Sequence, residues 1–247
     1  MSDFAVILPA AGKSSRFHDK HYKKPYAPLE NRALWMHAAE KFNNRTDVKQ
    51  ILIVISPEDE EFFKQKFAAN VAILGFDVVL GGKERADSVE RALNKVRPEI
   101  EWVAVHDAVR PCIADAWIDQ VFEAATRTEA AILATPITST LKRAHDAKQT
   151  IEETVPRDRL WAAQTPQVFR KQVLLDAYAK RGDFQPTDEA QLVERIGVTV
   201  TLVPGSPINI KVTTKEDLRM AGQLLKALPK PKLPGTDHPF ADDHLWR

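Results

Sequence analysis

Residues 4–16 read FAVILPAAGKSSR: five apolar side chains that run directly into Pro9-Ala10-Ala11-Gly12-Lys13-Ser14-Ser15-Arg16. Near-continuous apolarity, rather than alternation, marks a strand whose sheet is covered by helices on both faces. Similar runs recur at 51–55 (ILIVI), 71–80 (VAILGFDVVL), 102–106 (WVAVH), 130–137 (AAILATPI), 198–203 (VTVTLV) and 208–212 (INIKV). Between them, helical spacing occurs at 33–43, 58–69, 84–96, 114–126, 170–180 and 214–226. In the third of these Ala86, Val89, Leu93 and Val96 form one apolar stripe. Strands alternating with helices predict an α/β fold with a Rossmann-like, mostly parallel central sheet flanked by helices. Residues 1–227 are read as a single domain.

Two segments break the pattern. Residues 138–160 are polar and alternate weakly about a turn-like centre at 145–148, which predicts a protruding two-stranded arm. An arm that cannot bury itself is expected to pack on a partner. The tail, 228–247, is rich in proline and is read as extended or disordered, with no chemistry assigned to it.

Thirty-five basic and thirty-four acidic side chains leave a net charge of +1, so no global field draws in a polyanion. An anionic ligand must be captured locally. No basic stripe interleaved with aromatics marks a nucleic-acid surface. Cys112 is the single cysteine and cannot form an internal disulfide. The opening MSDFAVILPAAG has neither a basic n-region nor a signal-like cleavage site, and no apolar run approaches the roughly 18 residues of a membrane span. The expectation is a cytoplasmic protein with no membrane role.

In a doubly wound sheet, ligands lie beyond the carboxyl ends of the strands. The loop from Pro9 to Arg16 stands at such an end; its small residues let backbone N–H groups approach an anion while a basic side chain closes over it. It lacks the three spaced glycines of a dinucleotide fingerprint and the second element of a Walker A loop. The alternative is a plain strand-to-helix turn with Gly12 at positive φ. Lys24, in KKPY, can add a second fixed charge beside the same phosphate chain, although adjacent lysines are commonly mere surface. Gly81-Gly82-Lys83-Glu84-Arg85-Ala86-Asp87-Ser88 opens a helix, where Gly82, Asp87 and Ser88 are candidates for holding a base or ribose; simple helix initiation competes with that reading. Asp107, in HDAVRP, is placed for Mg²⁺ carried by a nucleotide, against a strand-end ion pair with Arg110. His106 is read as structural, since imidazole is not a preferred magnesium ligand. Lys211, in NIKVT, alternates with apolar neighbours and must point somewhere specific.

Taken in order, PAAGKSSR, KKPY, GGKERADSV, HDAVRP, TSTLKRA, TVPRDRLWAAQTPQVF, TDEA and NIKVT resemble the IspD family of 2-C-methyl-D-erythritol 4-phosphate cytidylyltransferases over roughly residues 4–226. The resemblance implies that Arg16 and Lys24 stabilise the triphosphate and the transition state, and that Lys211 contacts the α-phosphate. It further implies that Ser88 and the backbone of residues 10–12 hold the cytidine, with Pro9 and Lys13 beside them, and that Asp107 binds the metal. It places the polyol phosphate between the subunits of a homodimer, touched by Thr140 and Arg157 of the arm together with Arg110, Thr187 and Thr213. The family usually has glutamine where Pro25 stands, and the stretch between Arg16 and Lys24 is one residue longer here. A ribitol 5-phosphate cytidylyltransferase and a catalytically inert CTP sensor are the rival readings.

Overall fold

The computed structural model describes residues 2–12, 17, 19, 22–145 and 150–229. In chain order these form β1 (Phe4–Pro9), β2 (Pro28–Leu29), β3 (Arg32–Ala33), α1 (Leu34–Asn43), β4 (Val48–Ile55), α2 (Glu60–Leu74), β5 (Asp77–Leu80), α3 (Arg85–Leu93) and β6 (Trp102–Val105). There follow α4 (Asp115–Thr128), β7 (Ala130–Pro136), β8 (Leu141–Ala144), β9 (Ile151–Val155), β10 (Trp161–Arg170), α5 (Lys171–Ala179), α6 (Glu189–Arg195), β11 (Thr201–Pro204) and α7 (Lys215–Leu224). Seven strands make the main sheet in the order β11-β7-β10-β6-β1-β4-β5. All neighbours are parallel except β10, which runs antiparallel between β6 and β7.

The apolar runs divide their side chains between two cores, one on each face. Phe4, Val6 and Leu8 pack with Trp35 and Phe42 of α1, Phe63 and Phe67 of α2, and Ile118 and Phe122 of α4. Ala5 and Ile7 face the other way, onto Val89 and Leu93 of α3, Leu174 and Tyr178 of α5, and Leu192 and Val193 of α6. The 86–89–93–96 stripe of α3 and the turn after it is buried as expected.

Three stretches depart from the sequence reading. Residues 71–74 end α2 rather than begin a strand, because Gly75 takes a left-handed φ of 68° and closes the helix with its N–H on the Val71 carbonyl. Only Asp77–Leu80 is extended. Residues 208–212 form no strand; they are a loop docked by the Val212 N–H on the Val109 carbonyl, 2.9 Å away. β10 has no apolar signature because Gln164, Thr165 and Gln167 in its middle are buried with hydrogen-bonded side chains. The short helix α6 and the two-residue pair β2–β3 also escaped the periodicity. Between 138 and 160, β8 and β9 form the separate antiparallel pair that the arm required; residues 146–149 and 230–247 lie outside the described residues.

Phe42 is fully buried on α1, with its ring centroid 5.1 Å from that of His106. Phe42→Ala is expected to lower the unfolding free energy by about 3–5 kcal/mol, read as a fall in urea midpoint at unchanged slope. A loss below about 1 kcal/mol would mean that this face of the core is not close-packed.

Candidate functional site

Parallel register brings the carboxyl ends of β1, β4, β5 and β6 to one edge. Backbone bonds extend the pairing past the strand ends: the Ala10 N–H to the Val54 carbonyl (2.7 Å), Gly81 to Ile55 (2.8 Å) and His106 to Ile7 (2.9 Å). A cleft of about 730 Å³ opens there, lined by residues 9–12, 23–25, 56–58 and 81–85, with Ser88, Arg91, Asp107, Val109 and Lys211.

Asp107 stands two residues beyond β6 and is only 5% exposed. Its Oδ2 lies 3.0 Å from Lys211 Nζ and 3.3 Å from Arg110 Nε, and its Oδ1 lies 3.5 Å from an Arg85 nitrogen. Burial by itself raises the carboxyl pKa, but the charges of Arg85, Lys211 and Arg110 outweigh it and hold Asp107 well below the usual carboxylate range. The Asp107–Arg110 ion pair, the alternative weighed against a metal site, is therefore present, within a larger cluster. Lys211 reaches it from the loop between β11 and α7, a segment remote in sequence.

The Asp107 backbone is fixed through His106, which is fully buried and pushed down to about 4, so it is neutral near pH 7. The Arg110 carbonyl, 3.1 Å from His106 Nε2, can only accept, which puts the ring proton on that nitrogen. Nδ1 then accepts from the Thr165 hydroxyl, whose oxygen in turn accepts from the Asp107 N–H, both at 3.1 Å. Asn209 Nδ2 holds the Thr165 carbonyl at 2.9 Å, and Arg110 Nη1 donates to the Asn209 carbonyl at 2.8 Å. The structural reading of His106 agrees with this network.

On the opposite lip, a Cβ on Gly82 would come within 2.4 Å of the Asp87 Cβ, so residue 82 has room for glycine alone. The buried Ser88 hydroxyl accepts from the Gly82 N–H (3.1 Å) and donates to the Glu84 carbonyl (3.0 Å), holding this turn against α3. Gly12 is not in the left-handed region, contrary to the simple-turn alternative, and a Cβ there would meet nothing within 4 Å. Lys24 lies half-buried on the cleft wall, in a 3-10 turn whose Tyr26 is buried against Phe62, Phe63 and Phe67. Pro25 suits the first turn of that element, where a fixed φ helps and a missing N–H costs nothing. Lys23 is instead drawn to Asp59, 2.6 Å away.

The structure thus gathers Pro9, Ala10, Ala11, Gly12, Lys24, Gly82, Ser88, Asp107 and Lys211 around one cleft. Lys13 and Arg16 lie outside the described residues. Asp87 does not line the cleft: its carboxylate accepts from the Glu84 N–H as part of a capping box and pairs with Arg181 at 2.7 Å. Arg110 is turned onto Asp107 and Asn209. The Thr213 hydroxyl donates to Asp217 (2.6 Å), beside the capping box of α7. Thr187 is exposed just before α6, and Thr140 and Arg157 are exposed at the base of the arm, where Arg157 donates to the Thr138 carbonyl. Sequence reasoning did not single out Arg85, Glu189, Thr165 or Asn209. Each stood in a quoted motif, but only its tertiary partners distinguish it from a surface residue.

The family model described as "IspD: 2-C-methyl-D-erythritol 4-phosphate cytidylyltransferase" matches residues 4–227. The 2-C-methyl-D-erythritol 4-phosphate cytidylyltransferase of Rhodopirellula baltica is 41% identical over 232 residues, 90% of this chain and 94% of the relative. The protein of that name from Clostridioides difficile is 34% identical over 224 residues, covering 90% and 93%. Among solved structures, the Francisella tularensis 2-C-methyl-D-erythritol 4-phosphate cytidylyltransferase (IspD) aligns with a TM-score of 0.75 at 32% identity, covering 91% of this chain and 100% of the other. The structure of the Thermus thermophilus protein of that name gives a TM-score of 0.75 at 28% identity, covering 92% and 100%. A match that takes in the whole cleft, from the β1 loop to Lys211, means that this chain belongs to the IspD family.

Proposed function

We infer that this chain transfers the CMP unit of CTP to 2-C-methyl-D-erythritol 4-phosphate, forming 4-diphosphocytidyl-2-C-methyl-D-erythritol and pyrophosphate, a step of isoprenoid precursor synthesis by the non-mevalonate route. The observation that carries the reading is the meeting of Lys211 and Asp107, 3.0 Å apart, in a cleft whose other walls are the 9–12 loop and the 81–88 turn. An oxygen of the acceptor's phosphate attacks the α-phosphorus, a new P–O bond forms, and the bond to the pyrophosphate oxygen breaks. A phosphate monoester carries about 1.5 to 2 negative charges near pH 7, so the nucleophile arrives ionised and no strong base is needed. The barrier is electrostatic: an anion approaches a polyanion, and charge builds on the α-phosphate oxygens.

Positive charge answers that need. Lys24 and Arg16 are assigned to the triphosphate and Lys211 to the α-phosphate, exchanging its contact with Asp107 for one with the substrate. The turn at Gly82 and Ser88 and the backbone of residues 9–12, with Lys13, are assigned to the nucleotide. Among the described residues no group of three or more His, Cys, Asp or Glu side chains is placed to hold a metal. The donor set suits an ion that enters with the nucleotide: Asp107 would offer it one carboxylate. Magnesium, the cation proposed, would neutralise phosphate charge there. Arg110, Thr187 and Thr213 are assigned to the acceptor, with Thr140 and Arg157 supplied across a homodimer through the arm, whose Ile151 is 65% exposed. A cytoplasmic location accords with the reading, and no described helix is long and apolar enough to cross a membrane.

Lys24→Ala is expected to fold with a stability change within about 1 kcal/mol, yet to lose about 10²- to 10³-fold in turnover. Turnover near that of wild type would remove Lys24 from the catalytic set. With CTP and Mg²⁺, pyrophosphate release is expected with methylerythritol phosphate, little with ribitol phosphate, and none once the cation is chelated. Preference for ribitol phosphate would reassign the acceptor, and CTP binding without release with either would favour the inert sensor.

A further inference from the structure

Arg85 belongs to the first turn of α3, yet its guanidinium is turned onto helix α6. It makes three hydrogen bonds to Glu189, at 2.7, 3.0 and 3.0 Å, while one nitrogen lies 3.5 Å from Asp107 Oδ1. Glu189 is fully buried and also accepts from the Tyr178 hydroxyl at 3.2 Å. Its helix is locked to the sheet through Gln167, whose Oε1 accepts from the Ala190 N–H (3.1 Å) and whose amide donates to Asp188 (2.9 Å). A rigid path therefore runs from β10 through Glu189 and Arg85 to Asp107 and Lys211.

Stability alone does not account for this path. With Glu189 fully buried and the Arg85 side chain 30% exposed, the ion pair returns little over two well-packed apolar residues, because taking charge out of water offsets much of the attraction. What the pair does supply is a fixed position. Asp107 offers two oxygens, and Lys211 and Arg110 both hold Oδ2. Arg85 faces Oδ1 at 3.5 Å, an ion-pair contact to the other oxygen that remains once Lys211 turns to a phosphate.

Resting on the transfer reaction inferred above, we propose that Arg85, tied to Glu189, is a positioning residue: it fixes Asp107 so that Lys211 is free to engage the reacting phosphate. Its planar fork bonds Glu189 and still leaves one nitrogen 3.5 Å from Asp107, an ion-pair distance. An ammonium on a flexible stem can satisfy one but not both, so a lysine there keeps the charge and loses the geometry.

Two variants test this: Arg85→Lys, and Arg85→Met combined with Glu189→Met and Tyr178→Phe, which removes the ion pair together with the hydroxyl that donates to Glu189. Thermal midpoint, CTP affinity by calorimetry, kcat and KM are measured for each. The proposal expects both variants to stay folded and bind CTP within about three-fold of wild type while kcat falls about 10²-fold, the cost of a reacting group misplaced by about an ångström. A kcat within about three-fold of wild type in either folded variant overturns it, as does a loss carried by CTP affinity with kcat retained. Wild-type turnover is the control. If wild-type protein binds CTP yet releases no pyrophosphate, the transfer reaction itself is refuted and this inference falls with it; if wild type turns over and the variants match it, only the role of Arg85 fails.

Discussion

A carboxylate that is 5% exposed cannot stay ionised without partners. Asp107 has three, each from a different part of the chain: Arg85 from the start of α3, Arg110 from the loop after β6, and Lys211 from the loop before α7. Its charge therefore pins three segments to one point at the carboxyl edge of the sheet. The same cluster concentrates cations locally in a chain whose net charge is only +1. On the function proposed above, an arriving polyanion needs no global field and competes with one carboxylate for side chains already assembled around it.

Around that point the fold uses polar groups to keep backbone in place. Neutral His106, the Thr165 hydroxyl and the Asn209 amide link the end of β6, the middle of β10 and the loop of Lys211 by hydrogen bonds between 2.9 and 3.1 Å. β10 is the antiparallel insertion in an otherwise parallel sheet, and it brings Thr165 within reach of His106 and Asp107 at the carboxyl edge. Preorganised dipoles and charges of this kind need little rearrangement during reaction, which is where their value for phosphoryl transfer lies.

Much of this was legible in the residues. FAVIL, ILIVI, WVAVH and AAILATPI declared central strands because their side chains must satisfy two apolar faces at once, and the rule that ligands sit beyond strand ends then marked Pro9, Gly82 and Asp107. What stayed hidden has a physical cause in each case. β10 carries buried glutamines and a threonine whose partners are tertiary, so no period in the sequence reveals it. Residues 71–74 are apolar in a way that suits helix or strand, and Gly75 decided between them. Arg85 and Glu189 are charged residues that sequence places on the surface by default, and only pairing with Arg85 permits Glu189 to be fully buried. Asp87 and Thr213 read as ligand contacts by motif, yet their side chains also serve helix N-termini, a local use with the same residue types.

Thr140 and Arg157 stand on the exposed arm and do not line the cleft of their own chain. The account as a whole rests on the cations of one chain enclosing the phosphates of CTP. A crystal structure of the protein with CTP and Mg²⁺ tests it most directly. The account predicts the triphosphate between the 9–12 loop and Lys211, cytosine against the 81–88 turn, and the Lys211 ammonium moved from Asp107 to a phosphate oxygen. Nucleotide bound on another surface, or in this cleft with its phosphates remote from Lys24 and Lys211, would contradict it.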